Sequence, residues 1–314
     1  MMTTLRILII KPSSLGDVIQ MLQVVEGAYH AAHKHGFYLD IHWVIRDCFS
    51  ELIKMSPIIS KCFIFQRHGG LKAFYRLIKE IRKFQYDYVI DGQGLLRSGL
   101  MTFFAHSKVK IGRKDAREGS RFFYKKTYAP SSEKIHALEI LQALFKGFHF
   151  EITPQRPLSL TIPETDYPFK DFILLFPNSR VPKKEWPYFI ELTQKILSQT
   201  QYSCVWAGTD PLKTSFQHPR FFNEIGKTHL SDLPGLIQKA CCIIANDSGP
   251  IHLAAALKQP LVGIYGAYGA SGIFRYGPYP VSEHCILQAD NNDLKSLSPE
   301  VVYKAVMQQI NFKV

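Results

Sequence analysis

Short apolar runs alternate with longer amphipathic stretches along the first half of the chain. The apolar runs have the length and residue types of buried strands and lie at 5–11, 38–44, 62–66, 88–91 and 109–112. Helical periodicity occurs at 17–34, at 71–84 and at 133–148, and the basic residues of 71–84 fall on one outer face. Because strands alternate with helices, the pattern predicts a parallel, doubly wound α/β sheet.

The second half repeats this alternation after a stretch with little periodicity. That stretch, 151–168, holds four prolines and is the predicted linker. The predicted strands of the second series are 172–176, 203–207, 223–225, 242–245 and 261–265. The predicted helices are 188–199, 233–240 and 252–258, with a last helix at 299–310. The chain of 314 residues is thus expected to form two Rossmann-like domains, residues 1–155 and residues 156–314.

One turn between a strand and a helix carries a carboxylate. Residues 11–18 read Lys-Pro-Ser-Ser-Leu-Gly-Asp-Val and join the first predicted strand to the first helix. Such turns lie at the carboxyl ends of the strands of an open α/β sheet, where ligands bind, so Asp17 is a candidate catalytic residue. Helix capping is an alternative interpretation, because Ser13, Ser14 and Asp17 are all favourable N-cap residues.

A second turn, in the other half of the chain, offers groups that bind anions. Residues 242–266 predict a buried strand, a polar turn, an alanine-rich helix and another buried strand. The turn Asp247-Ser248-Gly249 places a hydroxyl and backbone N–H groups at a helix N-terminus, which favours phosphate. A carboxylate turn and a phosphate turn in opposite halves of one chain favour an active site over capping alone.

Positive charge is concentrated in the first half. Residues 1–155 hold 23 Lys and Arg against 13 Asp and Glu, whereas residues 156–314 hold 15 against 13. The basic residues are densest at 108–126, which is typical of a solvated face, of a nucleic-acid surface, or of a site for an anionic glycolipid at a membrane. Nucleic acid is disfavoured because no helix-turn-helix, zinc or RNA-binding pattern accompanies the charge.

Cysteine usage and apolar run length exclude other classes of protein. The six cysteines lack paired C-x-x-C spacing and are expected to be reduced, which favours a cytoplasmic protein over a disulfide or zinc framework. No apolar run approaches the roughly 20 residues that span a bilayer, and we expect neither a signal peptide nor a transmembrane helix. The G-x-G-x-x-G and Walker A patterns of dehydrogenases and P-loop proteins are also missing from the sequence.

Five motifs along the chain resemble glycosyltransferase family nine. They are Lys-x-Ser-Ser-Leu-Gly-Asp-Val at 11–18, Tyr-Asp-x-Val-Ile-Asp-Gly-Gln-Gly-Leu-Leu-Arg-Ser at 86–98, Asp-Ala-Arg-Glu at 115–118, Lys-Glu-Trp-Pro at 184–187 and Asp-Ser-Gly-x-x-His-Leu-Ala-Ala-Ala-Leu at 247–257. The resemblance implies the glycosyltransferase B fold, in which two Rossmann-like domains face a central cleft and the last helix packs back on the first domain. It also implies an inverting enzyme that moves heptose from ADP-heptose onto a Kdo sugar of lipid A.

The resemblance also assigns roles to individual residues. Asp17 takes the position of the general base, which removes the proton of the acceptor hydroxyl. The acceptor-binding residues are Ser13, Ser14, Gly16, Arg97, Lys114 and Arg117, and the donor-binding residues are Ser179, Lys184, Asp247, Ser248, Gly249 and His252. Lys183 is the alternative phosphate contact beside Lys184, and a pairing of Arg97 with Asp91 or Asp87 is the alternative to its acceptor role.

No metal is expected at the reaction centre. None of the 13 aspartates forms the Asp-x-Asp pair that holds a divalent metal on the diphosphate in many other nucleotide-sugar transferases, so protein groups must stabilise the leaving group. The chain departs from the family after Tyr265-Gly266, where Ala267-Tyr268-Gly269 replaces Pro-Thr or Pro-Ser, and it lacks an arginine at 136–142. Two alternatives stay open: the same fold acting on another nucleotide sugar, and a non-catalytic anion-binding protein.

The partners and location follow from these expectations. The expected partners are a nucleotide sugar, a Kdo-lipid A acceptor and an anionic membrane surface, and nucleic acid is not among them. The expected location is the cytoplasm, with peripheral attachment to the cytoplasmic face of the inner membrane of a Gram-negative type cell.

Overall fold

The computed structural model describes residues 2–129, 135–148, 151–179, 181–209, 214–266 and 269–311, with the backbone alone for 269–271. The chain divides into two compact units, Met1–Thr161 and Ile162–Val314, and the division lies inside the predicted linker. The departure from the family at Ala267 and Tyr268, and the start of the helix predicted at 133–148, lie outside the described residues.

Six strands form the sheet of the first unit, and every neighbouring pair is parallel. The strands are β1 (Thr3–Ile10), β2 (Phe37–Arg46), β3 (Ile59–Phe65), β4 (Gln85–Asp91), β5 (His106–Arg113) and β6 (Lys126–Tyr128). The helices are α1 (Leu15–Lys34), α2 (Ser50–Lys54), α3 (Gly70–Ile81), α4 (Leu96–Phe104) and α5 (Ala137–Ala143), with 3-10 helices at Asp47–Phe49, Ser120–Phe123 and Lys146–Phe148. The strand order is β3-β2-β1-β4-β5-β6, so the order reverses between β1 and β4.

The second unit repeats this topology. Its strands are β7 (Phe172–Phe176), β8 (Ser203–Trp206), β9 (Phe221–Asn223), β10 (Cys242–Asn246), β11 (Leu261–Tyr265) and β12 (Cys285–Gln288). Its helices are α6 (Phe189–Gln199), α7 (Leu233–Lys239), α8 (Gly249–Ala256), α9 (Gly269–Tyr276) and α10 (Pro299–Asn311), with 3-10 helices at Pro182–Lys184, Val281–Glu283, Asp290–Asn292 and Leu294–Ser296. The order β12-β11-β10-β7-β8-β9 reverses between β7 and β10. The predicted α/β class with two doubly wound, Rossmann-like sheets is confirmed, which is the architecture of glycosyltransferase B domains.

The central strands are continuous apolar runs because both faces of each sheet are covered. The last four residues of β1, Ile7 to Ile10, are at most 1% exposed. Strands of a parallel sheet read in this way when helices lie on both sides. In the second unit Trp186 and Trp206 are fully buried in a cluster that joins α6 and α10 to the sheet. Because both faces of the central strands are buried, their sequences do not alternate between apolar and polar residues. The apolar runs therefore located these strands correctly.

Two short edge strands and several short helices were not predicted. β6 has three residues, all at least partly exposed, and β12 is partly buried, so neither carries a strong apolar signal. The helix expected at 133–148 is shorter in the structure, where α5 is followed by a separate 3-10 helix around Gly147. Among the described residues no helix is both long and apolar enough to cross a membrane.

The predicted linker and the last helix are both attached to a core. The Ser159 N–H donates to the buried carboxylate of Glu26 on α1, and the Thr161 N–H donates to the Met55 carbonyl at 2.7 Å. The first part of the linker is thus fixed to the first unit. The buried face of α10, which includes Val302 and Val306, lies in the core of the second unit, and packing of this helix on the first domain stays a prediction.

Candidate functional site

The turn after β1 presents the Asp17 carboxylate at the start of α1. Ser14 is the N-cap residue of this helix, and Asp17 is the third residue of its first turn. Asp17 Oδ2 accepts hydrogen bonds from the Ser14 N–H at 3.0 Å and from the Ser14 hydroxyl at 2.6 Å. Asp17 keeps 38% of its side chain exposed, while Gly16 beside it is buried. Capping is therefore observed at this turn, and it leaves the oriented carboxylate accessible; the catalytic role of Asp17 stays a prediction.

A buried lysine faces the other oxygen of Asp17. Lys11, which directly follows β1, is 2% exposed, and its Nζ lies 3.4 Å from Asp17 Oδ1. The Trp43 indole N–H donates to the Lys11 carbonyl at 3.2 Å, and the Lys11 side chain passes beside Gly92 at the end of β4. A buried ammonium is costly without a partner, and the Asp17 carboxylate is that partner.

Opposing effects set the pKa values of this pair. Burial raises the pKa of Asp17, but the Lys11 ammonium and the hydrogen bonds from Ser14 outweigh burial and hold that pKa below its ordinary value. Burial lowers the pKa of Lys11; the Asp17 carboxylate opposes this decrease, and the Arg113 guanidinium adds to it. Asp17 is therefore ionised at neutral pH, as a general base must be.

The end of β4, which neighbours β1 in the sheet, carries a buried carboxylate. Asp91 accepts the N–H groups of Gln93 at 2.8 Å and Gly94 at 3.0 Å, and the Tyr124 hydroxyl at 2.7 Å. Burial raises the pKa of Asp91, and these hydrogen bonds offset the increase only in part. The Gln93 side-chain oxygen accepts the Ser13 N–H at 3.3 Å. This network ties the turn after β1 to the turn after β4.

Two of the basic residues predicted to bind the acceptor lie in the segment after β5. The Arg117 N–H donates to the Gly94 carbonyl at 2.9 Å, which sets this exposed arginine beside the turn after β4. Gly94 has φ +71°, in the left-handed region that favours glycine. The Lys114 side chain is exposed, and its N–H donates to the Tyr128 carbonyl on β6. Both residues therefore belong to the same edge of the sheet as Asp17.

Arg97 lies at the start of α4 and is exposed. Its guanidinium donates to the Arg67 carbonyl at 3.5 Å. Asp91 accepts other donors, and Asp87 accepts the Arg6 N–H at 2.9 Å. Within the described part of the chain, neither carboxylate pairs with Arg97. The alternative pairing considered from the sequence is therefore not observed, and the acceptor role stays a prediction.

The second unit brings a lysine and a carboxylate together at the corresponding edge of its sheet. Lys184 ends the 3-10 helix that follows β7, and Asp247 directly follows β10. Lys184 Nζ donates to Asp247 Oδ2 at 2.5 Å. Lys184 is 26% exposed and Asp247 is 17% exposed, so the ammonium is the more accessible of the two groups. Lys183, the neighbouring lysine, is exposed on the 3-10 helix, whereas Lys184 contacts the Asp247-Ser248-Gly249 turn through its ion pair with Asp247.

Hydrogen bonds hold the segment after β7 against the end of β10. The Asn246 side-chain oxygen accepts the backbone N–H of Trp186 at 3.0 Å, and its amide nitrogen donates to the Pro177 carbonyl at 2.8 Å. Glu185 Oε1 accepts the Ser179 N–H at 2.8 Å. Asn246 is fully buried, and its amide supplies both the acceptor and the donor that this junction needs. These contacts bring Ser179 and Lys184 to the turn that Asp247 begins.

The start of α8 completes this edge. Ser248 is the N-cap residue, with an extended backbone, and its hydroxyl donates to the Asn246 carbonyl at 3.1 Å. Gly249 opens the helix, and Pro250 follows at a position where a missing N–H costs nothing. His252 is half-buried in the same first turn. The helix N-terminus, with its backbone N–H groups and positive dipole end, favours an anion.

The structure adds residues that the sequence had not assigned to these edges. Lys11 and Asp91 fall within the quoted motifs, and a lysine or aspartate at the end of an apolar strand was the available signal. Glu185 and Asn246 also lie beside assigned residues. Tyr124 gave no local signal, since 33 residues separate it from Asp91. Charged groups that end neighbouring strands meet at one edge, and the sequence does not state which strands are neighbours.

The described residues contain no group of three or more His, Cys, Asp and Glu side chains that could hold a metal ion. Metal independence of the reaction stays a prediction, founded on the lack of an Asp-x-Asp pair in the sequence.

Comparison with known proteins identifies the family. Residues 74–306 match the family model of glycosyltransferase family 9 (heptosyltransferase). The chain belongs to this family. It is therefore a glycosyltransferase, and the resemblance seen in five motifs is confirmed. The match includes the turns after β4 and β10, while the Asp17 turn precedes its first matched residue.

Individual relatives match over nearly the full length. The lipopolysaccharide heptosyltransferase 1 of Pseudomonas aeruginosa is 26% identical over an alignment of 343 positions, gaps included, that covers 93% of this chain and 90% of that protein. The structure of E. coli heptosyltransferase WaaC with ADP matches with a TM-score of 0.80 at 21% identity, covering 97% of this chain and 99% of that chain. The same E. coli protein with ADP-2-deoxy-2-fluoro heptose gives a TM-score of 0.73 at 19% identity, covering 96% and 99%. These structural matches establish a shared fold.

Proposed function

We propose that the protein catalyses the inverting, metal-independent transfer of heptose from ADP-heptose to a Kdo residue of lipid A, in the synthesis of the lipopolysaccharide inner core. The observation that carries the proposal is the presence of one Lys-Asp pair at each of the two points where the strand order reverses. A relative named lipopolysaccharide heptosyltransferase 1 and a fold shared with a heptosyltransferase that binds ADP support the choice of sugar and nucleotide.

Asp17 is proposed to act as the general base. Its carboxylate takes the proton from the acceptor hydroxyl as the hydroxyl oxygen attacks the anomeric carbon of the heptose. The bond between that carbon and the β-phosphate oxygen breaks, ADP leaves with the electron pair, and the anomeric configuration inverts. General base catalysis of this kind contributes about 10²- to 10⁴-fold to the rate. The Ser13, Ser14 and Gly16 backbone would lie against the acceptor, and Arg97, Lys114 and Arg117 would bind its carboxylate and phosphates.

The second unit is proposed to stabilise the diphosphate as negative charge develops on it. Lys184 would turn from Asp247 to a phosphate oxygen, and the N-terminus of α8, with the Ser248 hydroxyl and the backbone at Gly249, would bind the other oxygens. His252 and Ser179 would complete the donor contacts. An ammonium and a helix dipole supply the positive charge that a divalent metal supplies in other transferases.

The acceptor class is supported by charge. The first unit carries most of the excess of Lys and Arg, and lipid A presents phosphates and Kdo carboxylates at a negatively charged surface. The proposed location is accordingly the cytoplasmic face of the inner membrane, as a peripheral protein. Two other functions compete, namely transfer of a different sugar by the same groups and binding of anions without catalysis.

A panel of nucleotide sugars offered with Kdo-lipid A, and read by mass spectrometry, tests the proposal. We expect a mass increase of one heptose with ADP-heptose, a product of inverted configuration by NMR, and turnover that survives EDTA. A product only with another nucleotide sugar would assign a different donor. A strict requirement for magnesium or manganese would contradict the role given to Lys184, and binding without any product would leave the non-catalytic alternative.

A further inference from the structure

One layer of helices on the first unit combines exposed aromatic side chains with positively charged side chains. α3 and α4 cover the same side of the sheet, because Leu77 and Ile81 of α3 and Met101 of α4 belong to one buried cluster with β1 and β4. The 3-10 helix Ser120–Phe123 packs against α4, where Phe103 and Phe123 lie 5.6 Å apart. These three elements form one helical layer.

The outer side of this layer is apolar to an unusual extent. Among the described residues of the first unit, nine large hydrophobic side chains are exposed, and six of them lie on α3, α4 or the 3-10 helix. These six are Leu71, Tyr75, Leu96, Phe103, Phe104 and Phe122. Phe122 is 92% exposed and Phe103 is 53% exposed, while Phe123 between them packs on α4. Other side chains on the inner side of each element already form the core, so the exposed apolar side chains do not contribute to it.

Positive charge surrounds the aromatic side chains. Lys110 Nζ donates to the Phe103 carbonyl at 2.5 Å and lies 5.6 Å from the Phe103 ring centroid. The Arg82 guanidinium donates to the Phe104 carbonyl at 3.1 Å, and Arg121 is exposed next to Phe122. Within the described residues these three cations form no ion pair. We call Phe103, Phe104 and Phe122, together with Arg82, Lys110 and Arg121, the aromatic-cationic face.

The surrounding sequence adds to this charge. Residues 70–126 hold 14 Lys and Arg against 5 Asp and Glu, a net charge of +9 out of +12 for the whole chain. α3 continues the pattern, since Leu71 and Tyr75 alternate on its exposed side with Lys72, Arg76 and Lys79. Two copies of such a surface repel each other, which argues against self-association. Apolar side chains among lysines and arginines are instead the pattern of a helix that lies on an anionic bilayer.

We propose that the aromatic-cationic face docks the protein on an anionic lipid bilayer, with Phe103, Phe104 and Phe122 inserted at the interface and Arg82, Lys110 and Arg121 against the lipid phosphates. The inference extends the proposed function, because an acceptor anchored in a bilayer is reached only from its surface. It rests on exposure and charge in the first unit alone, and no substrate is needed to test it.

Vesicle flotation of the full chain tests the docking face. The probes are vesicles of phosphatidylcholine mixed with phosphatidylglycerol, against vesicles of phosphatidylcholine alone. We expect binding to the anionic vesicles only, with affinity that falls as salt rises because the Debye length shrinks from about 10 Å at 0.1 M to about 3 Å at 1 M.

Two double variants separate the apolar and charged contributions. Phe103→Ser with Phe122→Ser should weaken binding about tenfold while keeping the salt dependence. Lys110→Glu with Arg121→Glu should weaken it at least about 25-fold, since each cation near an anionic surface is worth roughly fivefold. The controls are Phe274→Ser and Lys170→Glu, at exposed positions in the second unit, which should change nothing. Circular dichroism and thermal midpoints establish that all variants are folded.

Three outcomes would overturn the proposal. These are equal binding to both kinds of vesicle, equal effects of the face variants and their controls, and displacement of the chain from vesicles by duplex DNA at physiological salt. Turnover measured with a soluble Kdo acceptor keeps the two proposals apart. Vesicle binding without turnover on any acceptor would contradict the proposed function and keep the docking face. Turnover on the soluble acceptor without vesicle binding would do the reverse.

Discussion

The two sheets carry the same two residue types where their strand order reverses, but with opposite exposure. In the first unit the lysine is buried, at 2% exposed, and the aspartate is accessible, at 38%. In the second unit the lysine is the more exposed partner, at 26%, and the aspartate is at 17%. The first arrangement offers a carboxylate held by an ammonium, and the second offers an ammonium held by a carboxylate. A proton acceptor and a phosphate-binding cation are the two groups that glycosyl transfer needs.

The difference arises from where each lysine sits. Lys11 directly follows β1 and points into the packed edge beside Gly92, so it cannot reach a ligand without leaving the core. Lys184 stands on a short 3-10 helix after β7, where half-burial leaves room for its side chain to exchange partners. One topology thus produces a fixed pair in one unit and an exchangeable pair in the other.

The largest effect should come from the accessible carboxylate. Asp17→Asn keeps the shape of the side chain but removes the proton acceptor, so kcat should fall by about 10²- to 10⁴-fold. ADP affinity, measured by calorimetry, should stay unchanged because the nucleotide is assigned to the second unit. Asp166→Asn, an exposed carboxylate that precedes the amino end of β7 in the second unit, is the matched control. Near-normal turnover by folded Asp17→Asn protein would remove Asp17 from the mechanism.

The accessible lysine should give the next largest effect. Lys184→Ala should weaken ADP binding about 10- to 10²-fold, the worth of a hydrogen bond to a charged group, and should also lower turnover. Lys183→Ala changes the neighbouring exposed lysine and should leave both quantities nearly unchanged. If the two variants were reversed in effect, the phosphate contact would belong to Lys183, and the pair with Asp247 would be a structural ion pair only.

The sequence predicted the central strands, the long helices and the residues of both turns, because buried parallel strands and amphipathic helices leave strong periodic signals. It did not predict β6, β12 or α4, which are short or partly exposed. It named Asp17 and Lys184, but it did not predict that Asp17 pairs with Lys11 or that Lys184 pairs with Asp247. The partner of Asp17 lies only six positions before it, yet whether Lys11 turns toward the core depends on β4 and Trp43, which are distant in sequence.

The buried lysine should give the smallest effect at neutral pH and a distinctive one in acid. The folded pKa of Asp17 is depressed, with Lys11 as a main cause, so Lys11→Met should raise that pKa. The carboxylate is active when ionised, and the acid limb of the kcat profile should therefore move to higher pH. A carboxylate with a depressed folded pKa stabilises the protein above its unfolded pKa, and this contribution is lost as pH falls through the folded pKa. Because Lys11→Met raises the folded pKa of Asp17, the variant should lose this stabilisation at a higher pH than the wild-type protein does.

A double-mutant cycle decides whether Lys11 acts through Asp17 or through packing alone. If it acts through the carboxylate, Lys11→Met should add little to the loss of turnover already caused by Asp17→Asn. If the lysine serves only the core, its effect on turnover should be the same in both backgrounds, and the acid limb should not move. That result would make the Lys11–Asp17 pair a structural contact only. The two Lys-Asp pairs would then differ in how exposed their side chains are, but not in a chemical role of the first pair.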